Sequence, residues 1–139
     1  MSPGAPAVRL RMPALPDAVG VARQALTGVC EVLGFDARAT GDVRLAVSEA
    51  CTNVVTHAYR NAPETGELEL AVLVSDRELT VVVRDRGSGI APRVDSSGLG
   101  LGLPLIAALT QRAEIVEQQG GGTEVSMTFA AVNGGPEPR

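Results

Sequence analysis

Two consecutive apolar runs in the second half of the chain constrain its fold more than any other feature. They read LELAVLVS, residues 68–75, and ELTVVVRD, residues 78–85, and only Asp76 and Arg77 separate them. Runs rich in apolar and β-branched residues on both sides of a two-residue polar turn are typical of a β-hairpin. The chain is therefore expected to contain an antiparallel sheet, and its other segments must pack against that sheet.

The other segments predict one strand before this hairpin, three helices and a second hairpin. The first helix begins at Pro16 and Asp17 and ends at Gly34, which is placed as a left-handed cap. The predicted segments are, in order, the strand VRLRMP, that helix, a helix from about residue 36 to 59, the first hairpin, a glycine-rich passage at 87–102, the helix LPLIAALT, and the strands RAEIVEQQ and TEVSMTFA joined by Gly120, Gly121 and Gly122.

This order of elements predicts an α+β fold. We expect a two-layer α/β sandwich whose mostly antiparallel sheet is covered on one face by helices. We further expect a single domain at residues 8–131, with disordered tails at 1–7 and 132–139 that are rich in Gly, Pro and small residues.

Composition excludes several classes of function. Hydrophobic residues make up 45% of the 139 and aromatic residues 2%, so one core built from Ala, Val and Leu is expected. A net charge of -4 with no basic cluster argues against a nucleic-acid partner. No apolar run reaches the roughly 18 residues that a membrane span requires. Cys30 and Cys51 lie in apolar helical patterns and predict reduced, buried thiols of a cytoplasmic protein, and the single His argues against a zinc site.

A polar stripe marks the second predicted helix. Glu49, Asn53 and His57 follow one another at four-residue spacing, and at about 100° per residue they flank the apolar side of that helix. A solvated helix face is the commoner explanation of such a stripe. A carboxylate and an amide one turn apart beside a core can also hold a ligand, so both interpretations stay open.

A second candidate lies where the first hairpin ends. Asp85 closes a β-branched strand, and Gly87 and Gly89 follow it in VVVRDRGSGI. Glycines allow a backbone to pass close to a flat ligand, and a carboxylate at a buried strand end accepts hydrogen bonds from an exocyclic amine. The alternative is a strand followed by an ordinary turn.

A third candidate precedes the last predicted helix. In GLGLGLPLI the glycines Gly98, Gly100 and Gly102 come directly before a helix, where free N–H groups and the positive helix end suit a polyphosphate. A packed turn remains the alternative explanation. The chain contains no GK[ST] motif, which excludes a P-loop as the source of a phosphate site.

Taken in this order, the three candidates, followed by GGGT in the terminal hairpin, resemble the GHKL ATPase superfamily. Within it the chain is similar to the small anti-sigma factor serine/threonine kinases of bacteria, from LRMPALPDAVGVARQAL to GGTEVSMTF. The resemblance implies a Bergerat-type ATP-binding fold with ATP and Mg²⁺ as cofactors. It also implies transfer of phosphate to a small antagonist protein, regulation of a sigma factor, and pairing as a homodimer.

The resemblance also implies roles for individual residues of the polar stripe. Glu49 corresponds to the general base and Asn53 to the Mg²⁺ ligand, which suits a carboxylate within reach of a hydroxyl and a hard amide oxygen. Thr52 and His57 are expected to line the same pocket. Arg23 on the first helix corresponds to a contact with the protein antagonist.

The glycine-rich candidates receive their roles in the same way. Asp85 corresponds to the adenine-recognising carboxylate. The residues implied beside it are Gly87 and Gly89 along the wall of the base site, Thr123 as a support of the same acceptor, and Gly98, Gly100, Gly102 and Leu103 around the phosphates.

Two departures from the family pattern leave an alternative open. The link between the glycine boxes is only APRVDSS, and SSGLGLGL lacks the Arg that usually reaches the transferred phosphate, unless Arg93 replaces it. Loss of that cation would remove one stabiliser of the phosphoryl oxygens. The alternative is a nucleotide-dependent anti-sigma or adaptor module with weak or lost kinase activity. We do not expect a histidine-kinase lobe, which needs a phospho-accepting hairpin, or a gyrase-like ATPase, which needs transducing domains.

Overall fold

The computed structural model describes residues 6–60, 62–76, 78–87 and 102–130. The elements are, in chain order, β1 (Val8–Pro13), α1 (Pro16–Leu33), α2 (Ala37–Asn53) continued by a π-helical turn (Val54–Ala58), β2 (Glu67–Ser75), β3 (Glu78–Asp85), α3 (Gly102–Leu109), β4 (Arg112–Glu117) and β5 (Thr123–Ala130). Nearly all of the two predicted tails lies outside the described ranges.

The strands form one sheet in the order β1-β2-β3-β5-β4, and every pair of neighbouring strands is antiparallel. The helices cover one face of this sheet. The predicted two-layer sandwich with an antiparallel sheet is therefore confirmed. None of the helices in the described ranges has the length and the apolar character needed to cross a membrane.

Both ends of α1 and the start of α2 lie where the sequence predicts them. Pro16 begins α1, and Gly34 ends it with a φ of 83°, while its N–H reaches the carbonyl groups of Cys30 and Glu31. Asp36 caps α2 by accepting a hydrogen bond of 2.8 Å from the amide of Ala39. These caps bound the short turn between α1 and α2, which pack against each other.

The core lies between the helices and the inner face of the sheet, which we define as the face toward the helices. Alternate strand residues point inward, so each strand contributes every second side chain. The larger buried side chains include Leu26, Val43, Val47 and Val54 from the helices and Leu68, Leu70, Val72, Leu79, Val81, Val83 and Met127 from the strands. Cys30 and Cys51 are buried and unpaired, and burial raises the pKa of Cys51 to about 12.

The outer face, which is the opposite face of the sheet, carries a row of ion pairs across four neighbouring strands. Arg11 lies 3.2 Å from Glu69, and Glu69 lies 3.4 Å from Arg84. Arg84 also reaches Glu124 at 2.9 Å. The two carboxylates of this row are therefore both paired with guanidinium groups.

The end of the second helix departs from the prediction. The sequence predicts a regular α-helix to residue 59, but the α-helix ends at Asn53 and a π-helical turn follows it. A π-turn joins residue i to i+5 and holds one more residue than an α-turn. His57 therefore does not continue the line of Glu49 and Asn53, and the predicted regular stripe is wrong at its last member.

Candidate functional site

Asp85 is the last residue of β3, and its carboxylate is buried on the inner face of the sheet. Its exposed fraction is 2%, and its Oδ1 accepts a hydrogen bond of 2.8 Å from the amide of Gly87. The amide of Thr123, its register partner on β5, donates to the same carboxylate. Burial raises the pKa of Asp85, and these two hydrogen bonds oppose the rise. No cation of the described residues pairs with it, which is unusual for a buried charge.

Two glycines allow close backbone contact around Asp85. A Cβ on Gly87 would fall on the carbonyl oxygen of Ala58 in the π-helical turn. A Cβ on Gly122 would fall on the carbonyl oxygen of Asp85, and the φ of Gly122 is 107°. The structure thus brings Asp85, Gly87 and Thr123 together, as the resemblance implies. The sequence predicts Gly122 only as part of the turn between the last two strands and gives it no role beside Asp85.

Tyr59 also reaches this site, and sequence reasoning missed it. Its hydroxyl donates to the carbonyl of Glu67 at 2.6 Å and accepts from the amide of Arg86 at 2.8 Å. A Cβ on Gly66 would fall on its ring. Tyr59 is the only tyrosine of the chain, and that rarity in a sequence almost without aromatic residues was the available signal.

Asn53 and Glu49 form the polar end of α2. Asn53 is 8% exposed, and its amide has no hydrogen-bond partner within the part of the chain that the structure describes. Glu49 is half-buried one turn earlier and makes no ion pair with any described residue. Buried amides are normally hydrogen-bonded, so Asn53 has bonding capacity left for a ligand.

The other predicted residues of the helices lie elsewhere. His57 contacts Arg60 through Nδ1, and burial together with the Arg60 charge lowers the pKa of His57. Thr52 is exposed and lines an open groove of about 900 Å³ between α1 and the end of α2. Arg23 lines the same groove, and its Nε donates to the hydroxyl of buried Ser48 at 3.0 Å. Thr52 and Arg23 thus lie in the groove between α1 and α2, whereas Asn53 is buried.

The second glycine box is described only at its end. Gly102 is the first residue of α3, and Leu103 is half-buried against the core. Helix α3 packs against α2 and contacts β4. The remaining predicted residues, Gly89, Gly98, Gly100 and Arg93, lie outside the described residues.

The described residues fit an adenine nucleotide together with a Mg²⁺ ion bound to its phosphates. Asp85 has acceptor capacity beyond its two backbone hydrogen bonds, because an ionised carboxylate offers about four lone-pair sites. Asn53 offers one hard oxygen, which suits Mg²⁺ that keeps its waters and binds phosphate oxygens. In the described ranges no three His, Cys, Asp or Glu side chains gather at one point, so a metal held by such a cluster is not found there.

Comparison with known proteins assigns the chain to one family. A family described as the histidine kinase-like ATPase domain matches residues 12–129. The serine-protein kinase RsbW of Bacillus pumilus (strain SAFR-032) is 33% identical over 137 residues, covering 87% of this chain and 83% of its own. RsbW of Bacillus subtilis (strain 168) is 32% identical over 136 residues, with the same shares covered.

Two solved structures share the fold. The RsbU and RsbW domains of a Mycobacterium tuberculosis protein align with a TM-score of 0.69 and 25% identity over 90% of this chain, which spans about a third (33%) of that chain. A chain of the SiaB–SiaC complex from Pseudomonas aeruginosa is a fold relative, with a TM-score of 0.67, 12% identity and 90% of each chain covered. The chain therefore belongs to the histidine kinase-like ATPase family, and within it to the kinases related to RsbW.

Proposed function

We propose that this protein binds ATP with Mg²⁺ and phosphorylates a serine or threonine of a small antagonist protein, and that it regulates an alternative sigma factor. The observation that carries the proposal is Asp85, a buried carboxylate that pairs with no described cation and lies among close backbone contacts. Retaining such a group costs stability, and recognition of an exocyclic amine gives it a use. The kinase activity named for the RsbW relatives supports the transfer step.

Each polar group has one role in this proposal. Asp85 accepts a hydrogen bond from the adenine amine, and Asn53 contributes its amide oxygen to Mg²⁺. Bound Mg²⁺ neutralises charge on the phosphate oxygens. Glu49 takes the proton of the attacking hydroxyl as the new O–P bond forms and the bond to ADP breaks. The first turn of α3, beginning at Gly102, directs its N–H groups toward the phosphates.

Partner contacts are proposed on the α1 side of the molecule. The groove lined by Arg23, Thr52 and Thr56 offers a guanidinium and hydroxyls next to apolar Val21, which suits the antagonist protein. We also propose that the protein pairs as a homodimer through α1, as the resemblance to the kinase family implies, and Val32 on this helix is 86% exposed. We place the protein in the cytoplasm, where sigma factors act.

A second candidate function is a nucleotide-dependent binding module without phosphoryl transfer. It is favoured by the short link APRVDSS and by the absence of Arg in SSGLGLGL. In this alternative the protein holds ATP through the same residues and uses it to control a partner. Glu49 then has no proton to accept.

Labelled ATP separates the two candidates. Wild-type protein is incubated with γ-labelled ATP and the small antagonist encoded nearest to it, and label is expected on the antagonist. Glu49→Gln should keep nucleotide affinity within a few-fold and lower transfer by roughly 10² to 10⁴, as for a lost general base. Glu31→Gln, the same change at an exposed position of α1, is the matched control and should transfer at the wild-type rate.

The possible failures point to different errors. ATP binding without transfer by the wild type supports the binding module and predicts that Glu49→Gln is silent. Loss of binding in Glu49→Gln would make Glu49 a ligand-binding or structural residue. A wild type that binds no ATP would overturn both candidate functions.

A further inference from the structure

One side chain ties the end of α2 to two strands beside Asp85. The hydroxyl of Tyr59 donates to the carbonyl of Glu67, the first residue of β2, at 2.6 Å. The same hydroxyl accepts from the amide of Arg86, the residue that directly follows β3, at 2.8 Å. Both partners are backbone groups, so the link does not depend on the side chains of Glu67 or Arg86.

Two glycines form the seat of the Tyr59 ring. A Cβ on Gly66 would fall on the ring carbons, and a Cβ on Gly87 would lie 3.0 Å from the ring as well as on the carbonyl of Ala58. The ring therefore packs directly against backbone on two sides. The π-helical turn immediately before Tyr59 contains one residue more than an α-turn, which changes where this side chain leaves the helix.

The contacts of Tyr59 act on the peptide group between Asp85 and Arg86. The N–H of that peptide group bonds to the Tyr59 hydroxyl, and its carbonyl oxygen lies against Gly122 on the other side. One residue further, the Gly87 amide bonds to the Asp85 carboxylate. The direction of this carboxylate is thus set by a backbone segment that Tyr59 holds from one side and Gly122 from the other.

We infer that Tyr59 is a positioning residue for nucleobase recognition, holding the segment of residues 85–87 so that the Asp85 carboxylate faces the exocyclic amine of adenine. The inference rests on the proposed function, because it deepens the role given there to Asp85. It assigns Tyr59 no contact with the nucleotide. Its effect must therefore appear only for ligands that carry the amine.

The variant Tyr59→Phe tests this directly, because it keeps the ring in its glycine seat and removes only the hydroxyl. Affinities for ATP and for purine riboside triphosphate, which is ATP without the exocyclic amine, are measured by calorimetry. ATP affinity should fall about tenfold, the size expected when a displaced Asp85 carboxylate loses its hydrogen bond to the exocyclic amine. Affinity for the amine-free analogue should stay within about twofold, since the amine-dependent part alone is lost.

Two controls make the comparison specific. Thr80→Val also removes one hydroxyl, from the 3.2 Å contact with Thr128 on the outer face, and should change neither affinity. In an Asp85→Asn background, Tyr59→Phe should have no further effect on the ratio of the two affinities, because both changes act through one carboxylate. Hydrogen exchange of the Arg86 amide in the wild type tests the bond itself and should show protection.

Several results would overturn the inference. An equal fall for both nucleotides would make Tyr59 merely structural, and an unchanged ATP affinity would remove its role altogether. An unprotected Arg86 amide would do the same even if Tyr59→Phe failed to fold. A wild type that binds both nucleotides equally would instead show that the adenine recognition of the proposed function is wrong, and the inference would fail with it.

Discussion

Two carboxylates on neighbouring strands show opposite electrostatic environments. Glu69 on β2 faces the outer side of the sheet between Arg11 and Arg84, and although burial alone would raise its pKa, the two arginines lower it. Asp85 on β3 follows Arg84 directly but faces the inner side, where burial raises its pKa. Its only bonds within the described residues come from two backbone amides.

Glu69 therefore stabilises the fold, whereas the burial of Asp85 costs stability. A carboxylate between two arginines is satisfied without any ligand. A buried carboxylate without a cation carries a cost, and such groups concentrate at functional sites. Arg84 shows that a cation was available one residue away, yet the alternation of the strand directs it to the other face.

The largest expected effect is on nucleotide affinity in Asp85→Asn. The wild type should prefer ATP to GTP, because guanine presents a carbonyl where adenine has its amine. Asp85→Asn should lose about 10- to 100-fold in ATP affinity, since hydrogen bonds to charged groups contribute about 1.5–3 kcal/mol. Calorimetry with both nucleotides measures the two effects together.

The matched control for Asp85→Asn is Glu69→Gln, the same carboxylate-to-amide change on the other face. It should leave ATP affinity within about twofold, as expected for a surface charge outside the site. Equal losses in the two variants, or equal affinities of the wild type for ATP and GTP, would contradict the contrast between the carboxylates.

The next effect is a pair of opposite pH dependences. The folded-state pKa of Asp85 is raised, so its contribution to the free energy of unfolding is fully present below the unfolded pKa and is lost as pH rises through the folded value. ATP affinity should change in the other direction, because only the ionised carboxylate accepts from the amine. It should fall by up to about tenfold per pH unit below the folded pKa.

Denaturant unfolding measures the pH dependence of stability, and calorimetry measures that of ATP affinity. Both are carried out on the wild type and on Asp85→Asn, from below the unfolded pKa of Asp85 to above its folded pKa. The variant should lack both contributions, whereas Glu69→Gln should keep them. An ATP affinity of the wild type that does not change with pH would show that Asp85 does not titrate in contact with the base.

The smallest expected effect is on stability in Glu69→Gln. Its lowered pKa means that its contribution is present above the unfolded pKa and is lost as pH falls through the folded value. Because its arginine partners are about half exposed, we expect a loss of only about 0.5–1 kcal/mol in the free energy of unfolding. Urea titrations at low and high salt measure it, and a loss that salt does not reduce would argue against an ionic origin.

Much of the fold was predictable because its signals are local. The hairpin around Asp76 and the cap at Gly34 depend on residues next to each other in sequence, and both were located to within a residue or two. Asp85 was recognisable for the same reason, as an acid that ends an apolar strand before glycines. That Asp85 has no cation partner among the described residues was not predictable, because this depends on which face of the sheet each charge occupies.

The π-helical turn and the role of Tyr59 were not predictable in this way. The sequence predicts a helix to residue 59 because apolar periodicity continues through the turn, and one added residue per turn leaves no distinct pattern. The partners of Tyr59 are backbone groups of Glu67 and Arg86, 8 and 27 residues away. Such contacts exist only after the sheet and α2 have packed together.

The scarcity of aromatic residues makes the Tyr59 contact an optical reporter. The chain has one tyrosine and no tryptophan, so the phenol absorbance and fluorescence of the unlabelled protein arise from a single position. That phenol bonds to the carbonyl of Glu67 on β2 and to the amide of Arg86 directly after β3, and burial raises its pKa. Emission and alkaline titration of the native protein therefore report events at the end of β3 without an attached dye.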